Sequence, residues 1–417
     1  MPFTRRSFLG RSLLMAGASA VLSNGLVKGV LAPRTAYAAG GTRALVLLRL
    51  YGGNDGLNTV IPYGTGSYYD QRPKLAVPAN QVLTINGQIG LHPRMTALKS
   101  HYSAGRLAIV QGVGYPNASL SHFRSEVIWQ NADPVGLPAT GWIGRWLDTL
   151  SPPGDPQVRG IDVNWGLDPL FDAERANTFA VPNLDYLNFP TDWNPWWDVD
   201  LKRSTFETIA QQARAVPLAE TLAARGYVLS RNVELYHGLP RDLSTTFPDT
   251  DLARGFATVS QMIAAQDAGT IAAGVYQIGI GGFDTHADQD AEGGHPDIWG
   301  QIDGALAAFH AELTAKGLAD QVLVVTYSEF GRRVEENGSK GTDHGTAAPM
   351  FAFGNPVVGG VYGPNPDLAD VDGDGNLKHT SDFREVYATI LSRWLGADAG
   401  ATDAILGGTF TPVPFLA

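Results

Sequence analysis

Five short stretches concentrate residues able to hold a cation or move a proton. GGFDTH at 281–286 sets Asp284 and His286 two positions apart. In an extended segment both side chains project to the same side, as metal ligation or a carboxylate-oriented imidazole requires. The same spacing also reads as an Asx turn beside an exposed histidine. YSEFGRR at 327–333 ends an apolar run on Glu329. A carboxylate there needs a cation, a helix N-terminus or an arginine such as Arg332 or Arg333 beside it. The loop beyond returns Asp343 and His344. YGGNDG at 51–56 offers Asp55, at a position that suits a turn as well as a ligand. NASLSHFRSE at 117–126 brings Ser119, Ser121 and His122 to the start of an expected helix.

The chain contains no cysteine, so disulfides, thiolate nucleophiles and sulfur-ligated metals are excluded. Any metal must sit on oxygen and imidazole, a donor set that suits zinc, manganese, magnesium or calcium. A serine at a helix N-terminus beside such a cation has its alkoxide stabilised by both, and becomes a nucleophile for phosphate or sulfate esters. The formal charge of −11 repels nucleic acid and anionic lipid, so an anionic substrate must meet a local positive centre such as a metal.

These groups need a scaffold. ALVLLRL at 44–50, LAIVQGVG at 107–114, IAAGVYQIGIGG at 271–282, VLVVTY at 322–327 and PMFAFG at 349–354 are apolar runs of strand length. They alternate with helical patterns, including 93–103 and the stripe Ile298, Trp299, Ile302, Ala305, Leu306, Phe309 and Leu313. Phe383 to Trp394 gives a closing helix for which Ser381 is the expected N-cap. Near-continuous apolar strands separated by helices predict an α/β fold, with a mostly parallel sheet covered on both faces. Ligands in such sheets bind at the carboxyl ends of the strands, where Asp55, Ser121, Asp284 and Glu329 all fall. A Trp- and Pro-rich insertion or cap occupies about 135–250, with a helical stretch near 203–236. No run demands a membrane span in the mature chain.

Residues 1–38 stand apart. TRRSFLGRSLLMAGASAVL followed by TAYAAGG resembles a twin-arginine export signal, with Ala36-Tyr37-Ala38 as a cleavage site. The resemblance implies a bacterial protein delivered folded by the twin-arginine machinery to the periplasm or beyond. Removing the five basic residues of the leader takes the formal charge from −11 to −16.

The order Asp55, Ser121, Asp284 with His286, Glu329 and His344 resembles the ligand order of the alkaline phosphatase-like superfamily, which includes sulfatases. More closely, LLRLYGGNDGLN, SHFRSEVIWQ, GIGGFDTHADQ, SEFGRRVEENGSKGTDHGTA and SDFREVYATIL resemble the bacterial family called domain of unknown function 1501, over nearly all of residues 39–417. The resemblance implies an alkaline phosphatase-like three-layer sandwich with Ser121, or Ser119, as nucleophile. It implies Asp55, Asp284, His286, Glu329 and His344 as metal ligands, with Asp343 supporting His344. Arg124 or Arg332 would bind the transferred anion. The chain departs from the superfamily at two points: Phe330 stands where a ligating histidine is expected, and Asp288 replaces the histidine of the Asp-x-x-x-His pair. A lost or rebuilt metal site would draw on Asp288, His286, His295 or His122. The expectation is therefore an exported metal-dependent hydrolase of phosphate or sulfate esters; the alternative is a non-catalytic periplasmic binding or assembly protein keeping the fold.

Three features read as structural. DVDGDGN at 370–376 spaces Asp370, Asp372 and Asp374 like a calcium loop but lacks the closing Glu, so a tight acidic turn is expected. Trp193, Trp196 and Trp197, interleaved with proline, suit sealing a cap. The glycines of GGFDTH and YGGNDG lack a dinucleotide or P-loop spacing.

Overall fold

Runs such as ALVLLRL become central strands because none of their residues has to face water. The computed structural model describes residues 42–417 apart from 137, 153, 188–198 and 213–215. Residues 1–38, expected to be an export signal, and Trp193, Trp196 and Trp197 lie outside the described residues. In chain order the strands are β1 (Ala44–Leu50), β2 (Val60–Ile61), β3 (Leu83–Thr84), β4 (Gly90–Leu91), β5 (Leu107–Gly114), β6 (Val158–Asp162), β7 (Asn177–Ala180), β8 (Val275–Ile280), β9 (Val322–Tyr327), β10 (Ala348–Phe353), β11 (Gly360–Tyr362) and β12 (Ser381–Asp382).

Among the described residues, nine strands form one sheet in the order β11-β5-β10-β9-β1-β8-β6-β7, with β12 also pairing β5. The central β1 is parallel to β8 and β9. β10 alone runs antiparallel to its neighbours, β5 and β9. β2, β4 and β3 make a separate small sheet.

The two-residue period of β1 divides its side chains between two cores. Ala44, Val46, Leu48 and Leu50 pack with Phe256 and Val259 of the helix Asp251–Asp267 and with Trp299, Ile302 and Phe309 of the helix His295–Ala315. Leu45 and Leu47 face Trp129, Trp142, Trp146 and Tyr387 on the other side, supplied by the helices His122–Asn131, Trp142–Leu150 and Phe383–Thr389. Each fully buried leucine contributes about 1.5–3 kcal/mol, and helices on both faces give the three-layer α/β class expected from the runs.

Several boundaries differ for local reasons. The strand expected over 271–282 is Val275–Ile280. The closing helix is capped by Asp382, one residue beyond the expected Ser381, and its side chain accepts from Arg384 N. The stretch 203–236 is two helices, Val199–Ala210 and Pro217–His237. The segment 135–250 does more than lie over the sheet: its β6 joins β8 and carries β7 outward as a continuation of it. No described helix is long and apolar enough to cross a membrane.

Candidate metal centre

Three of the sheet's parallel strands, β1, β8 and β9, end at one rim, and the loops that leave them build the site. The Gly52-Gly53 turn after β1 passes so close to its neighbours that a Cβ on Gly52 would stand 2.5 Å from Asp284 N, and one on Gly53 2.4 Å from the Phe330 ring. Both glycines have positive φ, +113° and +79°. Only glycine meets both demands, which explains the YGGND signature.

Asp284, Thr285 and His286, beyond β8, are zipped to the loop 337–343: Thr342 N donates to Thr285 O, Asp288 N to Ser339 O and Gln289 N to Lys340 O. The zipper brings His286 and Asp343 to hydrogen-bond distance, 3.1 Å. The helix His122–Asn131 supplies the remaining ring. Its N-cap is Ser121, which makes no side-chain capping bond, and its first residue turns an imidazole into the same cleft.

Side-chain ligand atoms of His122, Asp284 and His344 all lie within 4.8 Å of one another. His344 Nε2 is 3.1 Å from Asp284 Oδ1. His122 Nε2 approaches the other oxygen, Oδ2, at 3.5 Å. His286 joins from the Oδ1 side, its Nε2 3.1 Å from that oxygen and 2.9 Å from His344 Nε2.

The outer nitrogens decide what these rings offer. His122 Nδ1 is 2.8 Å from Glu329 Oε1, His286 Nδ1 faces Asp343 Oδ1, and His344 Nδ1 is 2.8 Å from the carbonyl of Leu120. Carboxylates and carbonyls only accept, so each Nδ1 must carry the proton. Each neutral ring then presents a bare Nε2 lone pair, and all three are aimed at the Asp284 carboxylate. Lone pairs and carboxylate oxygens repel when nothing lies between them. The arrangement calls for a proton or a cation, and an imidazole held by an oxygen acceptor is how proteins orient metal ligands. The buried His122 Nε2 has no hydrogen-bond partner, which agrees.

Asp284 stays ionised. Burial pushes its carboxyl up, but the hydrogen bond and charge of Arg332 outweigh that and bring it down to about 2. The hydrogen bond from Asn337, with His286, lowers Asp343 as well.

The other candidates fall in different places. Asp55 caps the short helix Gly56–Thr59. Its Oδ2 takes Arg72 Nη1 at 2.6 Å and Gln289 Nε2 at 2.7 Å, so its charge is already met by a guanidinium that is itself fully buried. Burial raises the Asp55 carboxyl, yet the charge and hydrogen bond of Arg72 bring it to about 2. Asp55 is thus an ion-pair partner, placed apart from the ring cluster. Glu329, 1 % exposed, stands one shell back: the Oε1 that receives His122 also accepts Gly52 N at 2.8 Å.

Arg332 is buried and spends its guanidinium on the carbonyls of Gly52, Gly53, Phe283 and Thr342 and on Asp284 Oδ1 at 2.7 Å. It is a clamp for the loops rather than an open anion binder. Arg124 is exposed and donates to Pro134 O. Ser121 is exposed, and its N–H donates to Ser119 Oγ at 3.3 Å. Asp288 sits in the left-handed turn at φ +42°. His295 is fully buried against Asn54 and Thr59, outside the cluster. Phe330 packs on the rings of both His122 and His344, with centroids 4.8 and 4.7 Å away.

Sequence reasoning placed His122 behind the ligands. The signal that could have moved it forward is its position as the first residue of the helix whose N-cap is Ser121. Arg72 carried no signal, because nothing in PKL reveals a partner 17 residues back. Asp370, Asp372 and Asp374 form the expected turn: Asp372 accepts from Asp374 N and Asn376 N, and Lys378 pairs with Asp370.

A family model described as "Protein of unknown function (DUF1501)" matches residues 200–407. No curated protein matches the chain. Solved structures similar to it include Ps i-CgsB in complex with k-i-k-neocarrahexaose, 12 % identical over 88 % of this chain and 75 % of that one, TM-score 0.42. The lipoteichoic acid synthase LtaP from Listeria monocytogenes is also 12 % identical, over 88 % and 75 %, TM-score 0.43. The PsFucS1 sulfatase from Pseudoalteromonas sp. is 13 % identical over 90 % and 72 %, TM-score 0.39.

Proposed function

We propose that this chain, which resembles the family of unknown function DUF1501, is a hydrolase of phosphate or sulfate esters that works with one divalent cation. His122, Asp284, His286 and His344 would hold the ion. One observation carries the reading: three histidines, each tied by Nδ1 to an oxygen acceptor, converge their Nε2 lone pairs on one carboxylate. Nitrogen-rich donors of this kind favour zinc and its transition-metal neighbours over magnesium or calcium.

When bound, the cation would neutralise charge on the ester oxygens as a Lewis acid. The chain supplies the rest. Ser121 offers an exposed hydroxyl at the start of the helix His122–Asn131, where backbone N–H groups and the helix dipole favour an anion. Glu329 and Asp343 hold the rings of His122 and His286 in register. Arg332 pins Gly52, Gly53, Phe283 and Asp284 to one another, so the carboxylate cannot swing away. Ser119 is the second candidate nucleophile. Export through the twin-arginine machinery, to the periplasm or beyond, belongs to the same proposal.

Metal content of the purified mature protein, with turnover of nitrophenyl phosphate and nitrophenyl sulfate by wild type, Ser121→Ala and His344→Ala, tests it. We expect about one ion per chain and serine-dependent turnover, both lost in His344→Ala. Metal-free protein that turns over neither ester ends the reading. A second reading, a binding or assembly protein, is favoured by Phe330 sealing one side of the rings and by Arg72 pre-empting Asp55. Bound metal without turnover of any ester would select it.

A further inference from the structure

Between the metal centre and β6 lies a second group of charges that the reading above does not use. Arg49, near the end of β1, is buried and reaches Glu126 Oε1 at 2.7 Å and Asp168 Oδ2 at 2.5 Å. Asp168 and Arg49 have 5 % and 4 % exposed side chains, whereas Glu126 keeps 28 %. Glu126 is therefore the member of the group that touches solvent at the rim.

Its place on the helix His122–Asn131 is informative. Glu126 follows His122 by four residues, so the two share one helix face with Cβ atoms roughly 6 Å apart. The intervening Ser125 is locked from below, donating to Glu329 O and facing Tyr115 Oη. Rotation of that face is thereby restrained, which holds Glu126 on the side of the helix from which His122 reaches Asp284 and Glu329. No proton-transferring group of the metal centre itself is open for work: Glu329 is buried behind His122, and Asp343 is engaged by His286 and Asn337.

We propose that Glu126 is the acid and base of the site, giving a proton to the leaving alcohol and taking one from the attacking water. This rests on the esterase reading. The charges that face it are Arg49 from β1, Asp168 from the loop after β6 and Glu329 from the loop after β9. Arg49 is shared with Asp168, so it neutralises Glu126 incompletely. Burial, with the repulsion of Glu329 and Asp168, moves the Glu126 carboxyl above the usual range despite Arg49.

In the first step Ser121 Oγ bonds to phosphorus or sulfur and loses its proton to bulk water. The bond to the ester oxygen breaks, its electron pair stays on that oxygen, and the Glu126 carboxyl proton moves there, releasing the alcohol. In the second step a water oxygen displaces Ser121 Oγ from phosphorus or sulfur, the Glu126 carboxylate takes a proton from that water, and the serine oxygen regains one from solvent. Atoms and charge balance over the cycle, with no further reactant.

The test compares wild type, E126Q and E126D on a phenyl ester and on the nitrophenyl ester of the same acid, with metal content and thermal unfolding measured alongside. Because nitrophenolate leaves without help, we expect E126Q to lose ~10²-fold or more in kcat on the phenyl ester and far less on the nitrophenyl ester. The acidic-side change in its pH profile should disappear, and E126D should restore part of the phenyl rate. An equal loss on both esters with full metal content, or no loss on either, overturns the assignment while leaving the esterase reading intact. Loss of metal or of folding in E126Q, unrelieved by E126D, overturns it as well by making the residue structural. If wild type hydrolyses neither ester, the esterase reading itself falls and this inference with it.

Discussion

Replacing Arg72 by methionine probes why this site would hold one cation. Arg72 and Asp55 meet at 2.6 Å with side chains 0 % and 1 % exposed, and the guanidinium also donates to Asn58 Oδ1, Val334 O and Arg333 O. The Asp55 carboxyl drops from 3.8 to about 2 in the folded chain. At ~1.36 kcal/mol per unit that corresponds to about 2.4 kcal/mol of stability at neutral pH. Because the folded value is depressed, the contribution is complete above about pH 4 and is lost as pH falls towards 2. In Arg72→Met the carboxylate is stranded in the interior, and breaking a buried pair from one side costs about 3–5 kcal/mol. Burial alone then raises the Asp55 carboxyl, so the sign reverses: the variant recovers stability on acidification, as protonation removes the stranded charge. Urea unfolding of wild type, Arg72→Met and the double variant Asp55→Asn/Arg72→Met at pH 7.5 and pH 5 measures this. We expect the single variant's deficit to shrink at pH 5 and the double variant to lose less than the single one. A deficit below about 1 kcal/mol at pH 7.5, or one that pH leaves unchanged, would refute the reasoning and return Asp55 to the list of open cation ligands.

Two further outcomes follow from the geometry. Glu329→Gln keeps the shape of the side chain but weakens its hold on His122, so metal affinity should fall by about 10–100-fold with little loss of folding, as read by competition with a chromogenic chelator. His295 is buried neutral, its ring lowered to about 4 by desolvation. Stability should therefore decline as pH falls from 6.5 towards 4, by about 3 kcal/mol over the interval. His295→Gln should flatten that decline in urea unfolding at a series of pH values.

Much of the scaffold was legible in the residues. ALVLLRL, LAIVQGVG and VLVVTY are the strands β1, β5 and β9 to the residue, because a segment covered on both faces has to be apolar throughout. The helix starting beside Ser121 was visible, as were the pairing of Asp284 with His286 and the return of His344, since each follows from spacing along a strand or loop. The assignment of partners was not legible. Nothing local says that Arg72 comes to neutralise Asp55, that Glu329 turns to His122 instead of a cation, or that Arg332 spends its donors on backbone carbonyls.

By itself the chain's order of residues determined the class of fold, the absence of sulfur ligands and the rim at which polar groups collect. Those depend on periodicity and composition, which are properties of neighbours in sequence. Tertiary structure alone decided which carboxylate faces the imidazoles and which is already paired. That choice is made by groups 17 to more than 200 residues apart, whose energies differ by whether a buried charge finds its counter-charge within hydrogen-bond reach.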